Sequence, residues 1–523
     1  MHFDTLITNG RVIDGSGGPE FHGSVGLNKG SITAVGDLDG ATAEENIDAA
    51  GLVITPGFID VHTHSDIYIL IEPTAPSKLY QGITTEIAGN CGASAAPLPA
   101  RRHLPADWRS KPLKIEWTTV SGYRDKLRQE APAINIALLA GHNTMRSGLV
   151  GYENRCLSPD ELKSMQRLLE EALEEGALGL SSGLAYAPGM FAPPEELRQL
   201  AATVARHNGI YTSHMRCEAT GLPAAVKETL EVAVNSGVRV QISHLKAAGR
   251  ANWPFCHTAV EMIQQARDNG VEAAADRYPY TYSATDLDVV FPPWAAEGGR
   301  EHILQQLAEA GFRDKLTGYL RSHYDNEFWN SVTIGSTTHA DNRVFRGCRL
   351  PEAAANLGLD PAAAVIHFAR SDGLMTGAFF DAMSEENMEF ILAQPWVMPG
   401  SDASLRATSG PLADDYPHPR AYGTFPRYLR WLLDKRSVSL TEGIHRMTAL
   451  PAQHFRLGKR GLLKPGYAAD ITVIDPQTIR DTAVRAAPHQ YAEGIRHVFV
   501  NGVHVLQEGI ITGRRGGGFI ARQ

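Results

Sequence analysis

Long apolar runs are missing from this chain. No stretch approaches the ~20 residues that span a bilayer. Met1-His2-Phe3-Asp4-Thr5-Leu6 has no basic segment leading into an apolar one, so no secretory leader is expected and the cytoplasm is the expected compartment. Cysteine is scarce. Five residues in 523, Cys91, Cys156, Cys217, Cys256 and Cys348, form an odd and sparse set that fits reduced thiols better than a disulfide framework. Positive charge is in deficit as well: 49 Lys and Arg against 58 Asp and Glu leave a net charge of -9. Nucleic acid and anionic membranes both recruit basic surfaces, which leaves a small molecule as the expected partner. No internal repeat is visible, and low complexity is confined to Gly516-Gly517-Gly518.

What is present describes a globular protein with ample apolar surface for a large core, 43% hydrophobic and 20% charged. The first fifty residues alternate short β-type runs with turn signals, as in Leu6 to Ile13 and Ser24 to Val35. Asn9-Gly10, set between apolar residues, predicts a hairpin. The same style returns in Ala469 to Asp475 and His497 to Val505. Residues 1–54 and 458–523 are therefore expected to build one small β-sandwich domain from both termini.

Between them strands alternate with helical segments, the pattern of βα units and a parallel sheet. Eight segments read as strands: Gly57 to His62, Thr84 to Ala88, Ile134 to Ala140, Ala177 to Ser181, Ile210 to Ser213, Val238 to Ser243, Val271 to Ala275 and Trp396 to Pro399. A helix is predicted from Ser158 to Glu175, with a capping serine, a first-turn proline and early acidic residues. Eight such units predict an α/β fold of the TIM-type (β/α)8 barrel class over residues 55–457. One interval breaks the rhythm. Residues Thr285 to Arg343 carry aromatic and helical material and a short β run, Val332-Thr333-Ile334. An insertion after the seventh strand sits at the C-terminal face, where it serves either as a lid or as a solvated surface excursion.

His62-Thr63-His64 ends the apolar run Ala50 to Val61. Side chains two apart on a strand share a face, so both imidazoles can meet one metal ion. Alone the pair is weak, since 20 histidines would give about one such spacing by chance. The strand count strengthens it. Cys91 follows the second strand, His214 ends the fifth, His244 ends the sixth and Asp402 closes the eighth. All six side chains fall at strand C-terminal ends, where barrel enzymes act. Nitrogen, sulfur and oxygen donors together suit Zn²⁺. Ser401-Asp402 also has the pattern of a helix cap. His142 follows the third strand without a partner in sequence, which leaves it a supporting or structural role. His339, His367 and the other four cysteines receive none.

These residues resemble the N-acyl-D-amino-acid deacylase (D-aminoacylase) branch of the amidohydrolase superfamily, nearly end to end. The matching motifs are Pro-Gly-Phe-Ile-Asp-Val-His-Thr-His-Ser-Asp (56–66), Gly-Asn-Cys-Gly (89–92), Ser-His-Leu-Lys (243–246), Tyr-Pro-Tyr (278–280), Ser-Asp (401–402), His-Pro-Arg (418–420) and Gly-Thr-Phe-Pro-Arg (423–427). Many amidohydrolases bridge two metals through a carboxylated lysine after the fourth strand. Here that strand reads Leu178-Gly179-Leu180-Ser181-Ser182-Gly183, without lysine, and the resemblance implies that Cys91 takes its place. It further implies one tightly bound zinc on Cys91, His214 and His244, with a weaker second site on His62, His64 and Cys91.

The resemblance also assigns Asp402 the catalytic proton transfer, and Lys246, Tyr278 and Arg420 a clamp on the substrate α-carboxylate, with Tyr280 and Tyr282 competing for the place of Tyr278. The implied reaction is hydrolysis of an N-acyl-D-amino acid to a carboxylate and a free D-amino acid. The D configuration comes from the resemblance alone. Rival readings are hydrolysis of a cyclic or small aryl amide, and a catalytically silent barrel scaffold. Two departures from the family pattern border the expected pocket: Ala403 where Ser-Asp-Gly is expected, and a long segment from Ser404 to Tyr416.

Overall fold

A computed structural model describes residues 1–99, 105, 108 and 111–523. Both termini meet in one nine-stranded sheet. Its amino-terminal part runs His2–Val12, Phe21–Asn28, Ser31–Gly36, Thr42–Asp48 and Val53–Pro56. The carboxy-terminal strands join it through Ile471–Ile474, antiparallel to Val53–Pro56. Asn501-Gly502 makes the two-residue turn between Ile495–Val500 and Val503–Gln507, both residues at positive φ, as a tight hairpin demands.

Asn9-Gly10 does not make the expected hairpin. His2–Val12 is one continuous strand, and its pairing with Phe21–Asn28 shifts register between Ile7 and Gly10. The Asn-Gly pair is spent on a bulge. A Cβ at Gly10 would lie 2.3 Å from the Ile54 side chain, so packing requires glycine there independently of any turn.

The central segment contains parallel strands near all eight predicted positions: Phe58–Asp60, Ile83–Ala88, Asn135–Leu138 continuing as Ala140–Gly141, Gly179–Gly183, Ile210–His214, Arg239–Ile242, Ala273–Arg277 and Val397–Pro399. They form a three-stranded and a six-stranded parallel sheet, the broken third strand standing at an edge of each. An isolated parallel bridge joins Thr63, beyond the first strand, to Ala403, beyond the last. Buried on both faces, such strands read as continuous apolar runs. Ile59, Val61, Ile87, Ala137, Leu139, Leu178, Ile210, Ala274 and Met398 pack in one cluster drawn from seven of the eight.

The predicted helix runs Pro159–Glu174, capped by Ser158 in a reciprocal capping box with Glu161. Met165, Leu169, Ala172 and Leu173 form its buried stripe, the spacing of one helical face. Leu169→Ala there costs about 2–5 kcal/mol.

The inserted unit is longer than 285–343. Ser283–Asp286 pairs antiparallel with Gly377–Phe380, which also takes Val332–Ile334 on its other edge. A separate apolar core spans Leu287 to Phe380. The closing strand Gly-Ala-Phe-Phe is too short for its sequence to reveal that it pairs backwards with residues almost a hundred positions earlier. No helix among the described residues is long and apolar enough to cross a membrane.

Candidate metal centre

The six side chains picked out as donors converge. His62, His64, Cys91 and Asp402 form one group and Cys91, His214 and His244 another, with the donor atoms of each group within 4.8 Å of one another. Cys91 belongs to both. Its Sγ lies 3.3 Å from His62 Nε2 and 3.6 Å from His244 Nε2, and His244 Nε2 lies 2.9 Å from His214 Nδ1. Asp402 Oδ1 is 3.3 Å from His62 Nε2 and 3.1 Å from His64 Nε2. Donors each ~2.0–2.3 Å from a tetrahedral zinc stand roughly 3.3–3.6 Å apart; the two spacings from Cys91 Sγ and that from Asp402 to His62 fall in this range, while His244–His214 and Asp402–His64 are closer.

The loops holding these donors are tightly determined. Cys91, His244 and Asp402 all adopt positive φ, at 51°, 36° and 49°, a conformation costing about 1–3 kcal/mol for a non-glycine residue. Around Cys91, a Cβ at Gly89 would lie 2.2 Å from the Leu139 carbonyl oxygen and one at Gly92 2.1 Å from Asn143 Oδ1. Gly-Asn-Cys-Gly is thus the sequence that lets a thiol turn in against neighbouring strands. The Asp402 amide donates to His62 O at 2.8 Å, fixing the carboxylate over the first strand.

Two carboxylates that the sequence reading did not single out orient the imidazoles. Asp276, in the seventh strand, lies 3.1 and 3.2 Å from His62 Nδ1, accepts the His244 amide at 2.8 Å, and receives Gln241 Nε2 at 2.8 Å. Glu218 Oε1 is 2.8 Å from His244 Nδ1. A carboxylate on Nδ1 fixes the tautomer and leaves Nε2 as the donor toward the centre. One signal was available: Asp276 sits near a strand C-terminal end like the donors themselves.

Burial opposes charge on all these groups, yet their mutual attraction prevails. It holds the Cys91 thiol well below its usual range beside His62 and His214, and Asp402 well below the carboxylate range beside Arg420 and His244. His64 is lifted to about 9, chiefly by Asp402 and Cys91, and His244 to about 10, by Glu218 and Asp402. A cluster that draws protons onto its histidines has the field that a divalent cation would satisfy.

Of the clamp candidates, Arg420 Nη1 lies 2.8 Å from Asp402 Oδ2 and its guanidinium stands 4.6 Å from the Tyr278 ring. Tyr280 and Tyr282 instead face Arg427 and Arg485. Lys246 is paired with Glu218 at 2.5 Å and stands 2.8 Å from His244 Nδ1. His142 is elsewhere, bonded to Glu196 at 2.8 Å beside Arg146. Ala403 packs in a small cluster with Ala421, Tyr422 and Ala483. Tyr186, unread in the sequence, lays its ring 4.7 Å from that of His214 and places its hydroxyl 3.2 Å from Thr285 of the inserted unit.

The pattern of the amidohydrolase family matches residues 45–329 and 391–506. The chain belongs to that family. This amidohydrolase is 34% identical to a D-aminoacylase of Alcaligenes xylosoxydans xylosoxydans over 99% of its own length and 98% of the relative's. It is 35% identical to the N-acyl-D-glutamate deacylase of the same organism, over 97% and 94%. Among solved structures, it superposes on the N-acyl-D-glutamate deacylase of Bordetella bronchiseptica, complexed with zinc and a phosphonate mimic of the tetrahedral intermediate. That match has a TM-score of 0.85 and 34% identity, and covers 100% of both chains. The amidohydrolase-type α/β fold follows from that superposition.

Proposed function

We propose that this amidohydrolase removes the acyl group from N-acyl-D-amino acids by zinc-dependent hydrolysis. The observation that carries the reading is the sharing of Cys91 Sγ between two donor groups, one of them including Asp402, in a chain whose fourth parallel strand offers no lysine to bridge metals. Likeness to deacylases over nearly the full length supports the substrate class. Cys91, His214 and His244 would hold the tighter zinc, and His62, His64, Cys91 and Asp402 would frame a weaker second position. A zinc ion there supplies a Lewis acid that lowers the pKa of a water to ~7 and polarises the acyl carbonyl.

The remaining work falls to side chains. Asp402, ionised and within 3.3 Å of two of the imidazoles, takes the proton of the attacking water and returns it to the departing amine nitrogen, which cannot leave as an anion. Arg420, Tyr278 and Lys246 receive the α-carboxylate. The guanidinium fork keeps donors beyond those spent on Asp402 and on the Ala284 carbonyl, and its geometry matches a carboxylate.

In this reading the two parallel sheets are arcs of a single (β/α)8 barrel over residues 55–457, an inference supported by the Thr63–Ala403 bridge and the shared apolar cluster. Residues 1–54 and 458–523 form a small β-sandwich domain. The inserted unit is a lid; its strand Ser283–Asp286 accepts a bond from Arg420 through the Ala284 carbonyl.

A hydrolysis screen over paired D and L N-acetyl amino acids, run with zinc supplied, tests the proposal. Turnover of the D forms with little of the L forms is expected. Equal turnover of enantiomers removes the stereochemical assignment, and activity confined to cyclic or aryl amides removes the substrate class.

A further inference from the structure

Lys78 belongs to a short helix, Pro76–Leu79, and is completely buried. Its Nζ lies 2.7 Å from Glu86 Oε1, 3.2 Å from Asp60 Oδ2, 3.2 Å from Ser401 Oγ and 3.3 Å from the Ala403 carbonyl oxygen. Asp60 ends the first parallel strand, Glu86 lies in the second, and Ser401 and Ala403 flank Asp402 on either side. The same ammonium therefore grips the residue before Asp402 and the residue after it.

A second layer of bonds tightens this grip. Asp60 accepts from the Ser401 amide at 2.8 Å and from the Ser401 hydroxyl at 2.5 Å. Glu86 accepts from Ser65 Oγ at 3.1 Å, and Ser65 Oγ accepts the Leu405 amide at 2.9 Å. Ladder pairing between the first and last parallel strands is slight by comparison: among the described residues it consists of the Thr63–Ala403 bridge. Asp402 meanwhile sits at a positive φ, which a loosely held backbone would relax.

Stability alone does not call for three ionisable groups at this seam. Burying a lysine and two carboxylates forfeits their hydration, and well-packed apolar residues generally stabilise such a position as well or better. What the charges add is direction, because each bond fixes a particular atom.

We propose that Lys78 is a positioning residue for Asp402, holding the carboxylate over the centre by anchoring Ser401 and Ala403 to the first two parallel strands. The inference rests on the role given to Asp402 above.

The test compares Lys78→Met and Ser401→Ala, each alone and combined with Asp402→Asn, in zinc-loaded full-length protein. Ser401→Ala removes the hydroxyl bonds to Lys78 and Asp60 while leaving Lys78, Asp60 and Glu86 paired and the backbone bonds of Ser401 and Ala403 in place, so it tests the Ser401 arm of the grip if Lys78→Met fails to fold. Each single variant is expected to lower kcat about tenfold or more, with KM within about twofold and zinc per chain unchanged, and to add no further loss in the Asp402→Asn background. Ser401→Thr, which keeps the hydroxyl, is expected to restore most of the kcat.

A full kcat in Ser401→Ala, or an equal loss with and without Asp402, overturns the positioning role. Wild-type kcat in Asp402→Asn alone overturns the reading of Asp402 and the proposal with it. An inactive Asp402→Asn beside a fully active Ser401→Ala sinks only the proposal.

Discussion

Arg420 holds Asp402: Nη1 lies 2.8 Å from Oδ2, both side chains almost fully buried. The group proposed to receive the substrate carboxylate therefore also neutralises and orients the proposed proton carrier. Arg420→Met is expected to raise KM and lower kcat together, for a combined loss of about 2–3 kcal/mol in kcat/KM, the range of a charge-assisted contact. Steady-state kinetics on an N-acetyl-D-amino acid checks this. A loss confined to KM would mean that the pair with Asp402 has no part in turnover.

Asp276 fixes His62 through Nδ1 and the His244 loop through its amide. Asp276→Asn keeps the volume and removes the charge, so zinc affinity is expected to fall about 10–100-fold, the usual cost of losing such a partner. Chelator competition measures it. An unchanged dissociation constant would show that the contact is packing alone.

Protonation sets the behaviour of the metal-free protein. His62, His64 and His244 are held above the usual imidazole range, His64 to about 9 and His244 to about 10. A raised folded-state pKa stabilises below the unfolded value of ~6.5 and loses that contribution as pH rises through the folded value. The depressed Cys91 thiol acts in the opposite sense over the same interval, but three imidazoles outnumber one thiol. The Tm of chelator-treated protein is therefore expected to fall between about pH 7 and 10, while zinc affinity rises as protons cease to compete. A Tm that climbs across this window contradicts the charge assignment.

The donors were legible in the sequence because each is a local event, an apolar strand followed by His, Cys or Asp, and parallel strands place such ends on one rim. Their supports were not. Glu218 comes four residues after His214, and Lys78 carries no motif; both matter through contacts with distant segments, Lys78 reaching Ala403 across 325 positions. Charge inside an apolar run was the available clue, in Asp60 of Gly-Phe-Ile-Asp-Val and Glu86 of Ile-Thr-Thr-Glu-Ile. Asn9-Gly10 shows the converse failure, because one dipeptide serves a bulge or a hairpin and only the partner strand decides which. The pairing of Lys246 with Glu218 is a further contact that no local motif announces.

Zinc-edge anomalous diffraction from crystals of the purified, zinc-loaded protein tests the central claim most directly. The account predicts a peak about 2.0–2.3 Å from Cys91 Sγ, His214 Nδ1 and His244 Nε2, the bonding range of zinc to sulfur and nitrogen. Absence of zinc there, or zinc bound only elsewhere on the chain, would contradict it.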